Sequence, residues 1–213
     1  MKLTSERGRK IREDYTDIKE REICDIRGLT QIGGNRNKID GSDGISNESI
    51  KNFSGNSTQV HLTTQKRFID VLKLNDENST FVKMFCGDIS LDVNGKDRYD
   101  VHDIKKINPK LVDSFLNYLT ENKLEIINLI IRNGFNVTTV VYKNLKTNEI
   151  FEINYDKILS KIKNCKWVVL KGGIHLKNEE GKTYFHFQRE GKKNKKNRYN
   201  VLWHIHKHLF IDN

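Results

Sequence analysis

The chain is poor in the residues that lock a fold covalently or rigidly: one proline, three cysteines, two methionines and two tryptophans among 213 residues. Cys24, Cys86 and Cys165 are too scattered for a disulfide framework or a zinc-ligand spacing, which points to a reducing cytoplasm. Asn-x-Ser/Thr triplets such as Asn56-Ser57-Thr58 then read as by-products of an Asn-rich chain, not as glycosylation sites. The most apolar stretch, LEIINLII at 124–131, is far too short to span a bilayer, so no membrane partner is expected. The start, MKLTSERGRK, is basic but has no apolar segment behind it, so no secretory signal is expected either.

Acid is also scarce. Against 38 Lys and Arg stand 28 Asp and Glu, a formal net charge of +10 with a pI near 9.4. Such an excess attracts polyanions, nucleic acid foremost, although a Lys- and Asn-rich composition gives the same number without a purpose. Its location is more telling. In REGKKNKKNR (189–198) six basic residues face one acid.

Periodicity supplies the architecture. Residues 6–29 read as a helix, with Ile11, Tyr15, Ile18, Ile26 and Leu29 on one stripe and Glu22 falling among them. A carboxylate in an apolar seam is costly unless it is paired or binds something, and Arg36 or Lys38 are the ordinary partners to expect. Further helices are expected at 65–74, at 110–132 behind Pro109, and at 154–163. NKID, ESIKNF, TQVHLTT, NVTTVVYKN, EIFEINY, CKWVVLKGG, TYFHFQRE and RYNVLWHIHKHLF read as strands, separated by turns. The expected class is α/β or α+β: one domain over 1–213 with a mixed central sheet flanked by helices. A catalytic half would fill about 1–75, and a DNA-contacting hairpin about 182–213.

The chemistry concentrates around GSDG. Alternation puts Ser49 and Lys51 on one face of their strand and Glu48 and Ile50 on the other, while Asp40 can reach the Ser49–Lys51 face from across the turn. A carboxylate beside a backbone carbonyl suits Mg²⁺, and a neighbouring lysine can orient or deprotonate an attacking water. A surface salt bridge is the plain alternative. Asp43, followed by Gly44, reads as turn chemistry.

Asp40 followed by Ser49-Ile50-Lys51 resembles the PD-(D/E)XK nuclease superfamily, in which an Asp precedes a strand carrying acid-x-Lys. Ser49 stands where that pattern usually has an acid, which removes one direct metal ligand. GGNRNKID, SIKN and STQVHLTTQKRF, then YFHFQREG and YNVLWHIHKHLF, look like segments of type II restriction endonucleases and cover about half of the chain. The resemblance implies a Mg²⁺-dependent, site-specific endonuclease of double-stranded DNA, working as a homodimer on a palindromic site, with a cognate DNA methyltransferase as a genetic partner only. It implies that Asp40 and the Ile50 carbonyl hold the ion, that Lys51 holds the water, and that Ser49 and a first-helix glutamate, Glu22, complete the shell. Gln59 and His61 would lie beside the scissile phosphate.

At the C-terminal end, His186 and Gln188 share one face of their strand, with Phe185, Phe187 and Arg189 on the other; His204, His206 and His208 share a face of the last strand. Three histidines at i, i+2 and i+4 along a strand span too far for one tetrahedral metal site. A DNA-reading ribbon is the alternative: Lys192, Lys193, Lys195, Lys196 and Arg198 on phosphates, Gln188 and Arg189 on base edges, His204 and His206 nearby. Two other functions stay open on the sequence, a non-catalytic nucleic-acid-binding protein and a structure-specific repair or junction nuclease.

Overall fold

The computed structural model describes residues 18–32, 37–87, 98–170, 172–191 and 199–211. The chain is mixed α/β, with two five-stranded sheets flanked by helices. No described helix is long and apolar enough to cross a membrane.

Helix α1 (Ile18–Arg27) leads into the short strands β1 (Thr30–Gln31) and β2 (Gly41–Ser42), then β3 (Asn47–Phe53). Strand β5 (Thr139–Asn144) pairs parallel to β3, and β6 (Ile150–Asn154) closes the first sheet in the order β1-β2-β3-β5-β6. Between β3 and β5 run β4 (Ser57–Thr64) and the helices α2 (Gln65–Val71), α3 (Asp76–Cys86), α4 (Val101–Ile107), α5 (Pro109–Glu121) and α6 (Lys123–Ile131). After β6 come α7 (Tyr155–Ile162), β7 (Lys166–Leu170), β8 (Gly173–Lys177), β9 (Thr183–Arg189), β10 (Asn200–His206) and α8 (His208–Ile211). The second sheet is antiparallel throughout, in the order β4-β10-β9-β8-β7. The chain therefore changes sheets between β3 and β4, and one core serves both.

That core is aromatic. Phe187 of β9 lies 5.2–5.8 Å, ring centre to ring centre, from Trp203, Phe85, Phe115 and Phe68. Phe53 and Tyr142 of the first sheet meet edge to face at 4.3 Å and pack on Phe210 of α8. Helix starts are fixed by side chains on orphan amides: Thr64 accepts from Arg67 N, Asn75 from Asn78 N, Asp100 from Asp103 N.

Several boundaries differ from the periodic reading. The expected helix over 110–132 is two helices, because Asn122 (φ −102°, ψ 20°) leaves the helical region between them. The expected strand NKID is not one, the pairing falling instead on Gly41–Ser42 of the expected turn, and β1, β8, α3 and α4 lie where the periodicity gives no strand or helix. The stripe assigned to the first helix is shifted: Ile23 and Cys24 are buried, whereas Ile26 is 70% exposed and Ile18 49%. Its start at residues 6–17 lies outside the described residues. The last strand ends at His206, so His208 sits in α8 and does not continue a face with His204 and His206.

Candidate active site on the β2–β3 hairpin

Helix α1 covers the outer face of the first sheet, where Ile23, Cys24, Leu29, Ile50 and Val141 form a small buried cluster. The approach is close at Gly41: a Cβ there would lie 2.7 Å from Cys24 Sγ, so a larger residue would make the Cys24 side chain or the helix shift. Asp40, the preceding residue, is held by its backbone from both sides. Its N–H donates to Glu48 O at 2.8 Å and its carbonyl accepts from Ile32 N at 2.9 Å.

The side chain of Asp40 then turns to the opposite face. Its Oδ2 accepts from Ile50 N at 2.6 Å, from Ser49 Oγ at 3.4 Å and from Lys51 Nζ at 3.3 Å. Lys51 Nζ also donates to the Ile50 carbonyl at 3.1 Å. Both charged side chains are largely sheltered, 13% and 17% exposed. Asp40, Ser49, Lys51 and the Ile50 carbonyl are thus brought together as the alternation of β3 requires. Asp43 is spent on the turn, its Oδ1 accepting from Ile45 N and Ser46 N at 2.8 and 2.6 Å, and those two amides hold its pKa below the usual carboxylate value.

Glu22 is not part of this group. It is exposed on α1, and its Oε2 pairs with Lys143 Nζ at 3.1 Å rather than with Lys38; Arg36, the other partner expected, lies outside the described residues. Lys143 is in register with Asn52, one residue along from Lys51, and so projects from the opposite side of the sheet. The shifted helix stripe is the cause: the face read as buried is the face turned to water.

Lys38, two residues before Asp40, is the functional candidate that the sequence reading passed over. Its Nζ donates to the carbonyls of Val60 and of Ile130, in the last turn of α6. Val60 has a carbonyl to spare because it is the extra residue of a bulge; Gln59 pairs with His204 and His61 with Trp203, leaving Val60 outside the ladder. Burial, then repulsion from Lys51, lowers the Lys38 pKa to about 7, with Asp40 pulling the other way. The i, i+2 spacing of Lys38 and Asp40 in NKID was the available signal.

The same bulge separates Gln59 from His61. Gln59 is exposed on the outer face of the second sheet, and His61 is buried toward the core side with Trp203. Burial first, then the charges of Lys38 and Arg67, hold His61 near pKa 4, so it is neutral. The pair does not line one surface.

The DNA-reading ribbon is also divided. Lys192, Lys193, Lys195, Lys196 and Arg198 lie outside the described residues. Arg189 sends Nη1 to the carbonyls of Phe85 and Tyr99 on the core side, whereas Gln188 faces outward. There Gln188 bridges His186 Nε2 and His204 Nε2, both at 3.1 Å. His204 and His206 share this outer face with His186, and burial lowers all three pKa values, to about 4 for His204 and about 3 for His206.

The hairpin group can hold a hard cation. Among the described residues Asp40 Oδ1 takes no hydrogen bond, and the Ile50 carbonyl is beside it. One carboxylate and one carbonyl suit Mg²⁺, which keeps most of its water. The Lys51 ammonium now bridges Asp40 Oδ2 and Ile50 O, so it must turn aside for an ion to use both oxygens. Lys51 and Asp40 balance one another, and Lys38, with its pKa lowered to about 7, adds only part of a positive charge near neutrality. No family model matches the chain, and no curated protein matches it.

Proposed function

We propose that the protein is a Mg²⁺-dependent, site-specific endonuclease of double-stranded DNA, with its active site on the β2–β3 hairpin. The observation that carries this reading is the convergence of Asp40, just before β2, with the Ile50 carbonyl and Lys51 of β3 on one sheltered point. Mg²⁺ at Asp40 and the Ile50 carbonyl would supply charge neutralisation for the pentacovalent transition state of phosphodiester hydrolysis. Lys51, an ammonium paired with Asp40, would orient the water that adds to phosphorus as the bond to the leaving sugar oxygen breaks, the water losing its proton to solvent and the leaving oxygen gaining one from it. Ser49 holds Asp40 through its hydroxyl. A homodimer on a palindromic site suits the two-strand cut.

A second reading rests on one specific feature. Lys51 already neutralises Asp40, and no other carboxylate pairs with Lys51 among the described residues. A non-catalytic nucleic-acid-binding protein with a structural ion pair fits that as well. Incubating the purified protein with genomic DNA of known sequence, with and without Mg²⁺, separates the two. Discrete fragments that appear only with Mg²⁺ are expected; intact DNA under every condition supports the binding protein, and nicks only at branched substrates indicate a junction nuclease.

A further inference from the structure

We propose that the outer face of the second sheet carries a divalent transition-metal site, of the Zn²⁺ class, formed by His175, His186 and His206. Four of the seven histidines of the chain meet on this face, drawn from three adjacent strands. His175 of β8 is directly opposite His186 of β9, and His186 is opposite His204 of β10, with His206 one step along. Strands are about 4.8 Å apart in a sheet, so ligands that could not meet along one strand meet across three.

The geometry is close to a ligand set. One ring nitrogen from each of His175, His186 and His206 lies within 4.8 Å of the others. Bonds of about 2.0–2.1 Å at tetrahedral angles put nitrogens roughly 3.3 Å apart, a closure that side-chain rotation can supply. His186 Nδ1 and His206 Nε2 share a hydrogen bond at 2.7 Å, which an ion would replace as the two nitrogens separate to that spacing.

The surrounding groups orient the rings. His186 Nε2 faces Gln188 Oε1 at 3.1 Å and must donate to it, which leaves Nδ1 with its lone pair aimed at the cluster. Thr183 Oγ1 lies 3.4 Å from His175 Nδ1. A ring held by its second nitrogen is the usual support for a metal-bound histidine. The set contains three imidazoles and no carboxylate, which selects zinc, copper or nickel over magnesium or calcium. His175 and His206 are only half-buried, so the fourth position opens to solvent and takes water or an anion. This centre does not depend on the hairpin site and selects a different metal.

The experiment is calorimetric titration of the full chain with ZnCl₂, and separately with MgCl₂, after chelator treatment and its removal. One Zn²⁺ per chain is expected with micromolar or tighter affinity, and no Mg²⁺ at this site. His186→Gln and His206→Gln should each weaken Zn²⁺ binding at least tenfold; Gln188→Ala should weaken it roughly 10–100-fold. The exposed His102→Gln should leave it unchanged. Circular dichroism checks each variant. Should a cluster variant fail to fold, imidazole NMR of the wild type decides, because Zn²⁺ must perturb His175, His186 and His206 and leave His102 in place. Absence of 1:1 binding up to 100-fold excess Zn²⁺, unchanged affinity in both folded cluster variants, or perturbation of other histidines alone would overturn the site.

Discussion

The two sheets gather polar groups on one face in opposite ways. On the first, Asp40 and Lys51 stand eleven residues apart, and each meets the other's charge and a backbone group. On the second, His175, His186, His204 and His206 come from three strands and meet as neutral rings, kept so by burial. Charge compensation over a short hairpin leaves oxygen donors for a hard cation. Burial of imidazoles across a ladder leaves nitrogen donors for a softer one. The contrast places oxygen donors on the first sheet and nitrogen donors on the second.

The strongest way to break that division is at Lys51. Lys51→Ala should reduce Mg²⁺-dependent cleavage by roughly 10²–10⁴-fold while leaving specific DNA binding largely intact. Asp40→Asn should do the same, whereas Asp43→Asn should keep most of the activity, because Asp43 serves the turn. Single-turnover cleavage and a binding titration on the same duplex measure both quantities. Cleavage retained in Lys51→Ala, or the two Asp effects reversed, would move the active site elsewhere.

What could be read from sequence follows the same line. Asp40, Ser49, Ile50 and Lys51 were found because a hairpin turns local spacing into contact, and period-two alternation fixes who shares a face. The class of fold and most strands were legible from the same periodicity. Glu22 was misplaced because Ile18 and Ile26, apolar but exposed, mimicked a buried stripe, while Ile23 and Cys24 held the contact. Gln59 and His61 were misjudged because one bulge at Val60 inverts the alternation, and nothing local announces a bulge. The histidine row was invisible for a different reason. His175 joins His186 only through strand pairing, and β8 itself was not anticipated.

Next in size is the buried acid behind the hairpin. Glu48 is 3% exposed and takes a bidentate bond from Arg27, with Nε and Nη2 both at 2.7 Å. Removing Glu48 leaves the sheltered Arg27 with the exposed Glu152 as its remaining acid partner, so part of the charge match is lost. Glu48→Ala should therefore cost about 2–4 kcal/mol in urea unfolding, the lower part of that range reflecting the partial exposure of Arg27. A loss below about 1 kcal/mol would mean that α1 is held by its apolar cluster alone.

Proton uptake by the second sheet gives a smaller, graded effect. In an unfolded chain His175, His204 and His206 titrate near 6.5; in the fold they titrate near 4, 4 and 3. Between those values the unfolded state binds more protons, so stability falls as pH drops from about 6.5 toward 4. Above neutrality these rings are neutral in both states and contribute no slope. Allowing for their partial exposure and mutual contact, the drop should be roughly 1–3 kcal/mol. The three-residue change to Gln at these positions should flatten that part of the pH–stability curve; an unchanged curve would place the acid sensitivity in the carboxylates.

Glu22→Gln should have the smallest effect, and it sharpens the comparison by its silence. Glu22 is 56% exposed at its side chain, and its bond to Lys143 is on the α1 face of the first sheet, across the strand from Lys51. An ion pair with one partner in water contributes roughly 0–1 kcal/mol, and the glutamine amide still offers an oxygen to Lys143. Stability should therefore change by less than about 1 kcal/mol, and Mg²⁺-dependent cleavage by less than about twofold. Unfolding and single-turnover rates on one preparation give both numbers. Cleavage lost in a variant that unfolds at the wild-type urea concentration would show that the first helix does supply an acid to the hairpin, and that β3 does not keep the two faces apart during turnover.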